Sequence, residues 1–210
     1  MTDQTQAWQD VVDQYYTPEE QAEWQEHMAD APEFSQEAYQ AQWHALSARI
    51  EAALPLEIIR YGLNPDSGGP GKYRGGLGCV RDFRIRAKEA SLTLRSDRRD
   101  HPPYGLLGGE PGGSSNNTLG EGAELRVLPS MPMEAFALKD GEVFRHVAAG
   151  GGGFGIATER DPQRVLDDVI DEKVSIAAAR EHYGVIIEPQ RMAVDVPATE
   201  ALRLGMAGRP

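Results

Sequence analysis

Apolar residues follow three different patterns along the chain. In the first, Trp8, Val11, Val12 and Tyr15 recur at helical spacing, and Tyr39, Trp43, Leu46, Ile50 and Ala53 form a second stripe of the same period, so residues 1–54 are expected to be helical. The expected caps agree. Thr17 can accept from the amide of Glu20 while Pro18 takes the first helical position and Glu20 reaches back, and Ser35 is placed to cap the last helix. In the second pattern, short apolar runs at 56–61, 79–85, 91–94, 125–128 and 143–148 are separated by Gly, Pro, Asn and Asp, which predicts strands and turns. Asp140-Gly141 between two such runs predicts a hairpin. The third pattern is helical again. Asp161 caps with Pro162 at the first position, and Val165, Leu166, Val169 and Ile170 share one face. Ser175 starts a further helix that Gly184 ends, followed by a short strand at 185–187 and a last helix near 197–204. The predicted class is α+β: a helical N-terminal segment, a central β domain rich in glycine loops, and C-terminal helices.

Composition sharpens the boundary between the first two patterns. Residues 1–54 hold 11 acidic residues against one base, Arg49, contain no glycine, and carry all three tryptophans. Between Gly62 and Gly155 lie 20 of the 23 glycines. The expected organisation is therefore an acidic helical segment, 1–54, that either packs on the rest of the chain or docks on a partner, and a second domain, 55–210. The formal net charge of −12 over 210 residues argues against nucleic acid as the main partner, since few basic groups would release counterions. No run approaches the roughly 18 apolar residues of a membrane span, and the N-terminus does not read as an export signal. With one cysteine, Cys79, a disulfide framework and a thiolate zinc cluster are excluded, and a cytoplasmic location is expected.

The densest chemical signal runs from Asn64 to Gly78 as Asn-Pro-Asp-Ser-Gly-Gly-Pro-Gly-Lys-Tyr-Arg-Gly-Gly-Leu-Gly. Two readings stand side by side. Glycines at positive φ would turn successive amides inward beside Lys72 and Arg74 and form an anion-binding concavity. Alternatively, the glycines allow close backbone packing, and the arginine tethers carbonyls or a carboxylate. The spacing is not that of a P-loop. A second run, Gly150–Gly153 with Phe154 and Gly155, fits a phosphate cradle, a hinge, or a loop pressed against another backbone. Residues 57–100 carry 10 bases and 6 acids, a local excess that fits an acidic partner, the chain's own helical segment, or a solvated loop. The five histidines lie at no metal-ligand spacing. No serine sits in a nucleophile elbow, so the residues themselves assign no catalytic group and no metal site. His146 is expected at the core or edge of a strand, and Cys79 as a small buried hydrophobe.

The block from Arg60 to Gly78 closely resembles a signature of the hydantoinase B/oxoprolinase family. Further blocks follow in the family's order: Pro102-Pro103-Tyr104-Gly105-Leu106 with Gly108-Gly109 and Pro111-Gly112, Leu128-Pro129-Ser130, the glycine run at 150–155, Glu159-Arg160-Asp161-Pro162 with Val165–Val169, and Val174-Ser175 through Tyr183-Gly184-Val185. The resemblance covers about residues 56–206 and only the C-terminal part of the family's longer subunit. Two departures stand out: Ile156-Ala157 where the family has Asp-Pro, and an unmatched acidic segment, 1–54. Members work with a hydantoinase A-like ATPase subunit that activates a cyclic amide or ketone. They include hydantoinases, oxoprolinases, and the large subunits of acetone and acetophenone carboxylases.

The resemblance implies a dedicated small subunit of a multisubunit ATP-dependent hydantoinase, oxoprolinase or ketone carboxylase, completing a truncated hydantoinase B-like large subunit. ATP and a divalent metal would be held by the partner subunits, with no cofactor in this chain. The candidate anion- or substrate-binding residues are Asp66, Ser67, Gly68, Gly69, Lys72 and Arg74. The alternatives are a non-catalytic assembly subunit and a stand-alone anion-binding regulatory protein.

Overall fold

The structure, a computed structural model, describes residues 17–19 and 36–207. The expected stripe at Trp8–Tyr15, most of the Thr17–Glu20 capping box and the Ser35 cap lie outside the described residues. The compact unit that holds the sheet begins at Gln36. Its first element is helix α1, Gln36–Ala53, whose Trp43, Leu46 and Ile50 are half-buried and which packs on strand β1, Leu56–Leu63. The Trp43 ring lies 4.2 Å from that of Tyr61, and the Glu51 carboxylate accepts from the Ile58 amide at 2.7 Å. This helix of the acidic segment thus packs on the chain's own domain.

Five strands make an antiparallel sheet in the order β1-β2-β7-β4-β5, where β2 is Cys79–Ile85, β7 Val143–Val147, β4 Asn116–Leu119 and β5 Arg126–Val127. Strands β3, Glu89–Leu92, and β6, Phe136–Lys139, pair as a separate ribbon. Between ribbon and sheet lies an apolar core of Ile85, Leu94, Leu119, Leu128, Leu138 and Phe144. The turn at Asp140-Gly141 is present, with Gly141 at φ 85°, but it does not close a hairpin. Strand β6 pairs with β3, whereas β7 pairs with β2 and β4, so the turn carries the chain from one sheet to the other.

Helices α2, Pro162–Ile170, α3, Ile176–Glu181, and α4, Val196–Ala207, follow the sheet, with the two-residue strands β8, Ile187–Glu188, and β9, Ala193–Val194, between α3 and α4. The predicted caps form: Asp161 accepts from the Gln163 amide at 2.8 Å and Ser175 from the Ala178 amide at 3.0 Å. Val165, Leu166 and Val169 are buried in a second core with Ala179, Tyr183 and Val185. Ile170, expected on the same face, is exposed. Among the described residues no helix is long and apolar enough to cross a membrane.

The glycine-rich segments 64–78, 102–113 and 148–155 lie against one another, backbone on backbone. Tyr73 and Phe154 exchange amide–carbonyl hydrogen bonds at 3.0 and 2.9 Å, Leu106 donates to the Gly153 carbonyl at 2.9 Å, Glu110 to that of Pro70 at 2.8 Å, and Gly69 to that of Gly151 at 2.8 Å. A Cβ on Gly150 would overlap the Ser67 carbonyl oxygen, and one on Gly75 would overlap that of Gly151. Within 64–78 none of the glycines has positive φ; that conformation falls on Asp66, at 60°. Their requirement is room for a neighbouring backbone.

Because the overlap at Gly150 is with backbone, Gly150→Ala is expected to destabilise the fold by about 3 kcal/mol or more. Gly76→Ala, where a Cβ meets nothing within 4 Å, is expected to stay within about 0.5 kcal/mol of the parent. Chemical denaturation of the two variants provides the comparison.

Candidate functional site

The three interlocked segments form a platform, and the residues predicted to bind an anion or substrate are built into it. Ser67 is buried; its hydroxyl donates to the Asn64 carbonyl at 2.5 Å and accepts from the Gly78 amide at 2.9 Å. Exposed Asp66 accepts from the Ser175 amide at 2.7 Å and thereby holds the start of α3. Gly68 lies against the Gly75 carbonyl and Gly69 against that of Glu110. The amides of Ser67, Gly69, Lys72, Tyr73, Gly75 and Gly78 all donate within the chain. The two cations differ in their settings. Lys72 reaches Glu159 at 3.4 Å with both side chains well exposed, a pair of little energetic weight. Arg74 turns inward, donating through Nε and Nη2 to the two Asp168 carboxylate oxygens at 3.1 Å each and through Nη1 to the Gly75 carbonyl at 2.7 Å.

Asp168 is the hub that links the platform to the C-terminal helices. Besides Arg74 it accepts from Arg160 at 2.8 Å, and Arg160 also donates to the Lys72 carbonyl at 3.0 Å. Arg203 on α4 closes the arrangement by donating to the carbonyls of Arg160 at 2.7 Å and Tyr183 at 3.0 Å. The Asp168 side chain is only 8% exposed, so two guanidinium groups compensate one buried carboxylate. Beside them the buried Tyr183 hydroxyl has no hydrogen-bond partner among the described residues. Burial pushes its pKa up to about 12, against the opposing pull of Arg160 and Arg74, so the phenol stays protonated across the neutral range. A cleft of about 180 Å³ lies where the platform meets α3, lined by Asp66, Gly68, Glu110, Val174, His182 and Tyr183. His182 and Glu110 face each other there at 3.0 Å.

Asp168, Arg160, Tyr183, Glu110 and His182 were not singled out from the sequence. A signal existed for one of them: Asp168 is three residues after Val165, on the apolar face of α2, and a carboxylate there requires a cationic partner. In the locally basic stretch, Arg84 and Arg86 both pair with Glu57 of β1, and Arg84 also with Glu121. The exposed departure Ile156 precedes a short 3₁₀ turn at Ala157–Glu159 with Ala157 buried. Cys79 is half-buried. On β7, His146 lies between cross-strand neighbours Arg81 and Asn117, with Nδ1 2.6 Å from the side-chain amide oxygen Oδ1 of Asn117. Burial, and secondarily Arg81, lowers its pKa. Among the described residues no group of three His, Cys, Asp or Glu is placed to hold a metal ion.

All three interlocked segments lie within the part of the chain that matches a known family. The sequence model of the hydantoinase B/oxoprolinase family matches residues 49–157, and the chain belongs to that family. It is 34% identical over 156 residues to the B component of a putative D-/L-hydantoinase from a Pseudomonas species, covering 73% of this chain and 26% of that protein. The crystal structure of an ATP-dependent caprolactamase from Pseudomonas jessenii superposes with a TM-score of 0.63 at 27% identity, covering 75% of this chain and 28% of that one. The nucleotide-free structure of an acetone carboxylase gives a TM-score of 0.66 at 24% identity over 77% of this chain and 26% of that one, a likeness of fold. The chain thus covers about a quarter of the hydantoinase- and caprolactamase-type relatives it matches and under a tenth of the 5-oxoprolinases.

Two outcomes follow from the geometry. Asp168→Ala leaves Arg74 and Arg160 without their shared carboxylate, and a loss of about 3–5 kcal/mol in unfolding free energy is expected. Lowering of the His146 pKa means that the folded state disfavours the imidazolium. Its contribution is therefore present above about pH 6.5, the ordinary histidine value, and lost as pH falls through the lower folded value. Denaturation between pH 7.5 and 5 is expected to show a smaller acid-induced loss in His146→Gln than in the parent.

Proposed function

We propose that the chain acts as a small subunit of a multisubunit ATP-dependent enzyme of the hydantoinase, oxoprolinase or ketone carboxylase type, completing a hydantoinase B-like large subunit that lacks this quarter. The observation that carries this reading is family membership over residues 49–157 together with relatives named as subunits of a hydantoinase and a caprolactamase. The caprolactamase and acetone carboxylase of similar fold are described as ATP-dependent, which supports ATP-driven activation of a carbonyl compound in the assembled enzyme. Nucleotide and divalent metal are assigned to the partners, a hydantoinase A-like ATPase and the large subunit. In a cytoplasmic hetero-oligomer of this kind, the platform would form one wall of the assembly.

Of the six candidate residues, Asp66, Ser67, Gly68, Gly69 and Arg74 hold the platform's shape through internal contacts. Lys72 is the residue of the set best suited to meet a phosphate or carboxylate, because its ammonium is engaged in an exposed ion pair with Glu159, which costs little to break. The internal engagement of the other five also favours a second reading, an assembly subunit with no residue at the reacting centre.

Affinity isolation of the tagged chain from its native host, followed by mass spectrometry, is expected to recover a hydantoinase A-like ATPase and a shortened hydantoinase B-like chain. Recovery as a lone monomer would contradict the proposal. In the isolated complex, Lys72→Ala is expected to lower ATP-dependent turnover at least tenfold while composition is unchanged. Unaltered turnover would favour the assembly role.

A further inference from the structure

The cleft of about 180 Å³ between the glycine platform and α3 has room for about six water molecules at about 30 Å³ each, and so for one small molecule rather than a polymer. Its two sides differ in chemistry. Asp66 is exposed and the Glu110 and His182 side chains are 44% and 38% exposed, whereas Tyr183 is 1% exposed. Two carboxylates therefore mark the solvent side and a phenol the buried side. Asp66 uses one carboxylate oxygen on the Ser175 amide and Glu110 one on His182 Nδ1, which leaves the second oxygen of each for a ligand. The Tyr183 hydroxyl has no hydrogen-bond partner among the described residues. Arg160 and Arg74 act on it more strongly than Asp168 and Glu110 do, so it is a protonated donor in a positive field. A buried donor left unmet costs about 1–3 kcal/mol, a cost that an acceptor on a ligand removes. Val174 and Ala178 add apolar wall.

We infer that this cleft binds a short aliphatic amino acid, with its carboxylate toward the Tyr183 side and its ammonium between Asp66 and Glu110. The carboxylate supplies the acceptor that the phenol lacks, in the field of two guanidinium groups, and the ammonium brings three donors to the two outer carboxylates. Neither charge alone matches both sides. A simple amine leaves the Tyr183 hydroxyl unmet, and a simple carboxylate places its apolar end against two acidic groups. All of the lining residues belong to this chain, so the inference is independent of the small-subunit reading.

The test titrates the full chain with γ-aminobutyrate and follows the imidazole resonances of its five histidines, the His182 signal being assigned by its loss in His182→Gln. A saturable shift of that signal is expected, with butylammonium and butyrate each binding at least about fivefold more weakly at equal ionic strength. Tyr183→Phe keeps the ring and removes the unmet hydroxyl; it is expected to retain the fold and to bind γ-aminobutyrate no better than butylammonium. Glu110→Gln is expected to weaken γ-aminobutyrate at least about fivefold. Should that variant fail to fold, Asp66→Asn, which keeps an acceptor for the Ser175 amide, takes its place with the same expectation. An unmoved His182 signal, equal affinity for the three probes, or full affinity in Tyr183→Phe overturns the inference and leaves the small-subunit reading to its own test.

Discussion

Backbones can approach closely enough to exchange hydrogen bonds along three irregular segments only where side chains are absent from the contact. That constraint governs the central part of this protein. Segments 64–78, 102–113 and 148–155 come from three separate connections of the sheet and meet carbonyl against Cα, with Gly69, Gly75, Gly109, Gly150 and Gly153 at the points of contact. Ordering so many glycines costs backbone entropy, and the hydrogen bonds among Tyr73, Phe154, Leu106, Gly153 and Glu110 offset that cost by satisfying groups that would otherwise be buried unpaired. The outcome is a loop region without regular secondary structure that nevertheless has a fixed shape.

The C-terminal helices are attached to this platform by charge. Asp168 comes from the apolar face of α2, Arg74 from the glycine loop, and Arg160 from the turn before α2, and all three are largely removed from solvent. A buried carboxylate between two guanidinium groups contributes little net stability compared with apolar packing, but removal of any member leaves an uncompensated charge. Its effect is therefore to fix position. Together with Asp66 at the amide of Ser175 and Glu110 opposite His182, it sets the platform in one register against α2 and α3. The sequence cations that looked available for a ligand are divided by this geometry into an inward tether, Arg74, and an outward ammonium, Lys72.

Much of this was readable from the residues. Strand β2 agrees with its apolar run, and the caps at Asp161 and Ser175 form as their side-chain chemistry requires. Three of the six family blocks coincide with the three interlocked segments, and the others fall at 128–130 and on the C-terminal helices and their approach. Strand β4 was missed because Asn116-Asn117-Thr118-Leu119 is not an apolar run; Asn117 is buried there by virtue of a cross-strand partner, His146. The hairpin expected at Asp140-Gly141 did not form because pairing is decided by which sheet each strand joins, information that a two-residue turn does not contain. The glycines of 64–78 were recognised as meaningful, but positive φ and close approach are indistinguishable until the opposing backbone is known. Ile170 shows the complementary limit: periodicity places it on the buried face, but it is the last residue of α2 and is exposed.

The proposed role makes this chain one component of a larger hydantoinase B-type assembly. Native mass spectrometry of the protein isolated under mild salt from its own host reads composition and stoichiometry without assuming a substrate. The expected result is a complex that contains this chain together with a hydantoinase B-like and a hydantoinase A-like polypeptide. A single species at the mass of the chain alone, stable and folded, would contradict it.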